Sequence, residues 1–125
     1  MLESATARAT IAVSDMDRAK NFYGGTLGLS LMEERPDGLR YEAAPGNWFL
    51  VYQSQYAGTA KSTSMAFEVD DLNQTVTELR DRGVVFEEYD MPGLKTVNGI
   101  AEAQGARGAW FKDPDGNILA VAERM

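Results

Sequence analysis

The 125-residue chain has no cysteine and no histidine. Without cysteine there can be no disulfide, no thiolate metal site and no cysteine nucleophile, and redox chemistry says nothing about compartment. Without histidine the chain lacks the commonest general base and the commonest metal ligand together. Long apolar runs are also missing: no stretch approaches the roughly 20 residues of a membrane span. The start, Met1-Leu2-Glu3-Ser4-Ala5, has neither the basic nor the apolar region of a secretory leader, so a cytoplasmic protein with no membrane partner is expected. Basic residues are few, 12 against 19 acidic ones, for a net charge of −7. That balance disfavours a nucleic-acid partner and suits solubility, with a weak attraction for cationic molecules. What remains, 44% hydrophobic and 25% charged residues, is ordinary for one soluble domain with a real core.

The pattern along the chain repeats. Ala9, Ile11 and Val13 alternate with Arg8, Thr10 and Ala12, as in a half-buried strand, and Ser14-Asp15 then offers capping oxygens to a helix. Met16, Ala19, Phe22, Tyr23 and Leu27 make one apolar stripe on that helix, and Gly24-Gly25 and Gly28 loosen its end. The same grammar returns 56 residues on: Met65, Phe67 and Val69 alternate with Ser64, Ala66 and Glu68, and Asp70-Asp71 precedes a helix striped by Leu72, Val76 and Leu79. Asp71 as N-cap would put Gln74 at N3 of a capping box, and Gly83 at C′. Three strand-like runs follow each helix, 30–35, 39–43 and 48–52, then 84–89, 107–112 and 118–123. Each half therefore reads βαβββ, one module over about 1–58 and the other over about 59–125 of a single domain. The halves differ by an insertion, 90–105, expected to be a long irregular loop.

A doubled βαβββ, together with Ile11-Ala12-Val13-Ser14-Asp15, Phe22-Tyr23, Leu27-Gly28-Leu29, Phe67-Glu68-Val69-Asp70-Asp71-Leu72 and Trp110-Phe111-Lys112-Asp113-Pro114-Asp115-Gly116-Asn117, resembles the vicinal-oxygen-chelate (glyoxalase, bleomycin-resistance and dioxygenase) superfamily over nearly the whole chain. The resemblance implies an α+β fold in which the tandem βαβββ modules curl their sheets into a barrel-like cup. It also implies four metal-ligand positions on the first and last strands of the modules. Here these fall on Arg8, Leu50, Ser64 and Ala120. An oxygen-philic divalent ion needs several converging oxygen or imidazole donors to offset its dehydration, and this set offers one hydroxyl. No metal and no other cofactor is expected.

Strand parity tells which side chains enter such a cup, because successive residues point to opposite faces. It selects Arg8, Thr10 and Ala12; Ser64, Ala66 and Glu68; Ile118, Ala120 and Ala122; and Trp48, Leu50 and Tyr52. A hairpin bulged at Gly116 would set Trp110 opposite Ala120 with Lys112 beside it, and the repeat puts Arg40 and Glu42 in the equivalent places. The expected ligand-binding residues are thus Arg8, Arg40, Trp48, Leu50, Tyr52, Ser64, Glu68, Trp110 and Lys112, an aromatic-walled pocket with a few orienting charges. Tyr52 and Glu68 are the candidate acid or base if there is chemistry at all. Each has a plainer reading: the two tryptophans as core filling, Arg8 as a surface charge or a structural partner of Glu68, and Glu33-Glu34-Arg35 and Asp81-Arg82 as solvated faces.

Three functions compete. The first is metal-independent binding that sequesters an aromatic compound or antibiotic, as the resemblance to bleomycin-resistance proteins implies. The second is a lyase, isomerase or dioxygenase acting on a small oxygenated substrate. The third is a module with its cup closed by Trp48 and Trp110 that works through partner contacts. Family resemblance also implies a homodimer, with the segment 5–13 able to pair across a subunit boundary.

Overall fold

The computed structural model describes residues 1–125, and the chain has a mixed α+β architecture with two sheets. It divides into two compact units, Met1–Ala57 and Gly58–Met125.

The first unit opens with a short 3₁₀ turn and then β1 (Thr10–Val13), followed by α1 (Met16–Ala19), whose first turn is capped by Asp15 accepting a hydrogen bond from the Arg18 amide at 3.0 Å. The helix then widens to a π-helix over Lys20–Thr26, with the Leu27 amide donating to Phe22 O at 2.9 Å. This departs from the regular helical stripe expected to Leu27. Ala19 and Tyr23 are buried, whereas Met16, Phe22 and Leu27 are only half-buried. Three strands follow, β2 (Ser30–Arg35), β3 (Gly38–Glu42) and β4 (Trp48–Gln53), in sheet order β1-β4-β3-β2 with β1 parallel to β4. Alternation decides the faces: Ile11, Val13, Leu39, Tyr41, Phe49 and Val51 are all buried with Tyr23, and among their neighbours in sequence only Gly38 is buried as well. Tyr23 lies 6.0 Å from Tyr41 and 5.8 Å from Phe49, ring to ring, so an aromatic cluster fills the space between helix and sheet.

The second unit begins with β5 (Thr63–Val69) and α2 (Leu72–Asp81). Asp71 caps α2 by accepting from the Gln74 amide at 3.0 Å, but the Gln74 side chain turns along the helix to Glu78 (3.2 Å), so the expected reciprocal box is half made. At the other end Gly83 (φ +93°) sits at C′, with its amide donating to Arg80 O and that of Val84 to Leu79 O, a Schellman stop. Leu72, Val76 and Leu79 are the buried stripe.

Two expectations fail in this unit. The run 84–89 makes no strand, only an isolated bridge from Phe86 to Phe111, and the insertion expected to be irregular is a meander of β6 (Asp90–Met91), β7 (Leu94–Val97) and β8 (Ile100–Ala103). The cause is turn chemistry. Asn98 (φ 53°) and Gly99 (φ 82°) both occupy the left-handed region that a two-residue hairpin of the I′ kind demands, and Gln104-Gly105 repeats the device. β8 then pairs with the first half of β9 (Ala106–Lys112), leaving residues 86–87 only its far end. β10 (Ile118–Glu123) completes a six-stranded sheet in order β5-β10-β9-β8-β7-β6, with β5 parallel to β10.

The turn between β9 and β10 is the polar hub of the unit. Asp113, 5% exposed, accepts from the amides of Asp115 (3.0 Å) and Asn117 (2.9 Å) and from Asn117 Nδ2 (2.8 Å). Asn117 Oδ1 in turn accepts from the Gly58 amide at 3.1 Å, which fixes the start of the unit to its last hairpin.

Candidate functional site

Burial parity leaves each sheet with one face turned away from its helix, and the expected site residues stand on those two faces. In the first unit Trp48, Leu50 and Tyr52 project from β4, flanked by Thr10 and Ala12 of β1 and by Arg40 and Glu42 of β3, with Thr10 opposite Leu50, Ala12 opposite Tyr52, Arg40 opposite Leu50 and Glu42 opposite Trp48. All are half-buried except Thr10, which is exposed.

Arg8 lies two residues before β1, on the flank of Trp48. Its Nη1 donates to Gly46 O at 3.0 Å and Trp48 O at 3.3 Å, and its guanidinium carbon is 4.2 Å from the Trp48 ring centre. Arg40 reaches the same ring from the other neighbouring strand, at 4.6 Å. Its Nη1 is 3.4 Å from Glu33 Oε2 and its Nη2 3.8 Å from Asp37 Oδ2, while Nε is buried without a hydrogen-bond partner. Two cations thus stand against one indole, each contact contributing about 0.5–2 kcal/mol depending on desolvation. Glu42 closes the β3–β4 turn by accepting from the Gly46 amide at 2.9 Å.

In the second unit Ala120 pairs with Trp110 and Ile118 with Lys112, as the hairpin register expects. Ala120 is buried and Trp110 half-buried. Trp110 is held at both ends, its Nε1 donating to Thr63 Oγ1 at 3.2 Å and its ring meeting Tyr89 edge-on at 5.7 Å. Lys112 pairs with Glu87 at 3.1 Å. On β5 the side chains of Ser64, Ala66 and Glu68 are exposed. Ser64 falls at a register shift, since Ile118 pairs with Thr63 but Leu119 with Met65, so the position equivalent to a metal ligand sits on a bulge. Glu68 belongs to the field of Arg124, whose protonated form is favoured first by the hydrogen bond to Asp70 and to a lesser degree by Glu68. Arg8, by contrast, takes its partners from its own unit.

The structure therefore brings Arg8 and Arg40 each against Trp48, with Leu50 and Tyr52 on the same face, and separately groups Trp110 with Lys112, Ala120 and the β5 residues. Sequence reasoning missed Thr63 and Tyr89 as supports of Trp110, Glu87 as the partner of Lys112, and Glu33 and Asp37 beside Arg40. The alternation Val84, Phe86 inward was a usable signal for Glu87 and Tyr89 on the opposite side. Glu33, though bound to Arg40, remains exposed, as does the rest of β2.

The donor set can be tested against a metal. The four family positions carry a guanidinium, an isobutyl group, a hydroxyl and a methyl, and nowhere do three or more carboxylates converge. These residues do not fit a divalent ion.

A sequence model of the glyoxalase/bleomycin resistance protein/dioxygenase superfamily matches residues 6–121. The chain belongs to that superfamily. Solved structures of the superfamily's fold cover almost all of the chain. UcmS2 matches with a TM-score of 0.75 at 19% identity, covering 95% of this chain and 97% of its own. A lactoylglutathione lyase from Agrobacterium tumefaciens matches at 0.69 and 19% identity, covering 96% and 93%. TnmS3, an antibiotic binding protein from a Streptomyces species, matches at 0.63 and 23% identity, covering 97% and 98%. At these identities the likeness is one of fold. No curated protein matches the chain significantly. Within the superfamily fold, no helix of this chain is long and apolar enough to cross a membrane.

Proposed function

We propose that the protein is a metal-independent small-molecule-binding member of the glyoxalase/bleomycin resistance superfamily that holds an aromatic compound on a helix-free sheet face. The observation that carries this reading is what occupies the four metal-ligand positions: Arg8, Leu50, Ser64 and Ala120 supply one hydroxyl between them, while half-buried Trp48 and Trp110 stand on the same faces. Loss of metal chemistry with retention of aromatic surface favours binding over turnover. The likeness to an antibiotic binding protein is consistent with sequestration, and the likeness to a lyase keeps an enzyme as the alternative. Tyr52 and Glu68 would be the acid or base of that alternative, on a lyase, isomerase or dioxygenase substrate. Neither makes a hydrogen bond to a second titratable side chain, which is what a shared acid–base site would require.

Association into a homodimer belongs to the same reading, because β1 stands at the edge of its sheet, where strand pairing between copies takes place. Metal analysis of protein purified without chelator tests the first claim. Substoichiometric Zn, Fe, Mn and Ni is expected, and one tightly held equivalent per chain would overturn it. Sedimentation equilibrium tests the second, with twice the chain mass expected and a monomer at all concentrations contradicting it.

A further inference from the structure

We infer that the molecule held on the first unit's open face is an organic anion, bound by its carboxylate or an equivalent oxyanion at Arg8 and Arg40 and by an aromatic body along Leu50 and Tyr52. The inference rests on the small-molecule-binding reading and narrows it to one charge class, opposite to the one that the net charge of −7 suggests.

Three observations carry it. First, Arg40 is under-used. Its side chain is 25% exposed, its Nη1 contact to Glu33 is long at 3.4 Å, its Nη2 stands 3.8 Å from Asp37, and its Nε is buried with no acceptor. A buried N–H normally finds a partner, and a guanidinium left short of acceptors is a site for one. Second, Arg8 meets backbone carbonyls and an indole but no carboxylate, so its charge is uncompensated at short range. Third, both guanidiniums are pinned against Trp48 at 4.2 and 4.6 Å, one from each neighbour of β4. An oxyanion that reaches both guanidiniums makes charge-assisted hydrogen bonds to each. Glu33 and Asp37 offset part of the charge on Arg40, whereas the more distant acidic residues act weakly here, because screening confines each to about 8–10 Å in physiological salt.

The rest of the face sets the shape of the ligand. From Trp48 the same side of β4 continues to Leu50 and Tyr52, at about 7 Å per two residues, with only Thr10 and Ala12 beside them on β1. The cationic end is thus joined to a flat, largely apolar strip about two residue pairs long. A compound with an oxyanion at one end and a planar ring system behind it fits both parts. The two guanidiniums also cover Trp48, so this indole fixes the arginines rather than stacking on the ligand, and the stacking partner in this unit is Tyr52.

The test is an NMR titration of the full-length ¹⁵N-labelled protein with three probes of one shape: 2-naphthoate, 2-naphthamide and 2-naphthylmethylamine in its ammonium form. Naphthoate is expected to shift the Arg40 Nε–H and Trp48 indole resonances saturably and to bind at least about tenfold more tightly than the amide, as the loss of a charge-assisted contact requires. Arg40→Gln should weaken naphthoate by a similar factor and leave the amide unchanged. Should Arg40→Gln fold poorly, Arg8→Gln, at a half-buried position before β1, carries the same expectation. Amide or ammonium binding as tightly as carboxylate, or naphthoate binding untouched by both substitutions, overturns the anion assignment while the broader reading of a small-molecule-binding face stands. If no probe perturbs any resonance, both fall.

Discussion

Replacing Gly58 by alanine tests how tightly the second unit is anchored at its entry. Gly58 has φ +70°, and a Cβ built there would lie 1.8 Å from Asp115 O and 2.8 Å from Asp115 C. Both neighbours are backbone, so no side chain can swing aside. The left-handed conformation alone costs a residue with a Cβ about 1–2 kcal/mol. Relieving the clash means lifting residue 58 from the 113–117 turn, which breaks the 3.1 Å bond from its amide to Asn117 Oδ1 and takes one partner from a buried side chain, at about 1–3 kcal/mol more. The expected loss is therefore about 2–5 kcal/mol. Gly93→Ala is the control: it has φ +80° but nothing within 4 Å of its Cβ, so only the conformational cost of about 1–2 kcal/mol applies. Urea unfolding followed by far-ultraviolet circular dichroism compares the two. Equal destabilisation of Gly58→Ala and Gly93→Ala would refute the argument, since the contact with Asp115 would then count for nothing.

Other outcomes follow from the same geometry. Asp113→Ala removes a buried acceptor of three hydrogen bonds and should cost about 3–5 kcal/mol, read as a lower urea midpoint; a loss below about 1 kcal/mol would mean the turn is held by backbone alone. Phe49→Ala, in the cluster with Tyr23 and Tyr41, should destabilise by about 3–5 kcal/mol, read as a lower urea midpoint; a loss below about 1 kcal/mol would mean the cluster is not packed as described. Glu123 is held below the usual carboxylate range, chiefly by the Leu72 amide and further by Arg107. A carboxylate with a lowered folded pKa stabilises the fold above its unfolded pKa, and that contribution disappears as pH falls through the folded value. Stability should thus fall as pH drops below about 4, the ordinary range of a carboxylate, and Glu123→Gln should flatten that acid limb; an unchanged profile would contradict the linkage.

Most of the fold was legible because the physics that sets it is local. Alternation separated Ile11, Val13, Phe49 and Val51 from Trp48, Leu50 and Tyr52, and one buried face is all that alternation needs. Asp15 and Asp71 declared both helix starts. The pairing of Trp110 with Ala120 followed from counting back through the Asp113–Asn117 turn. The meander at 90–105 was missed although Asn98-Gly99 is a strong hairpin signal, because pairing with β9 competes with the run 84–89 and only the three-dimensional register decides between them. The π-helix was not legible: a hydrophobic stripe does not reveal an i−5 bond such as that from Leu27 to Phe22. At the candidate site, parity found the faces but not the partners. That Arg8 would lie on Gly46 and Trp48 carbonyls, or that Arg40 would bury its Nε unpartnered, depends on side-chain packing that no spacing encodes. Ser64 illustrates the same limit, since its bulge is a mismatch between β5 and β10 visible only once both are paired.

The central claim, binding of an aromatic small molecule without metal, is tested most directly by tryptophan fluorescence titration of the protein with planar aromatic carboxylates, in excess EDTA and again with added divalent metal. Saturable changes of equal affinity under both conditions are expected, with Trp48→Phe and Trp110→Phe each removing part of the signal. Binding that appears only when metal is added, or no response across the panel under either condition, would contradict the account.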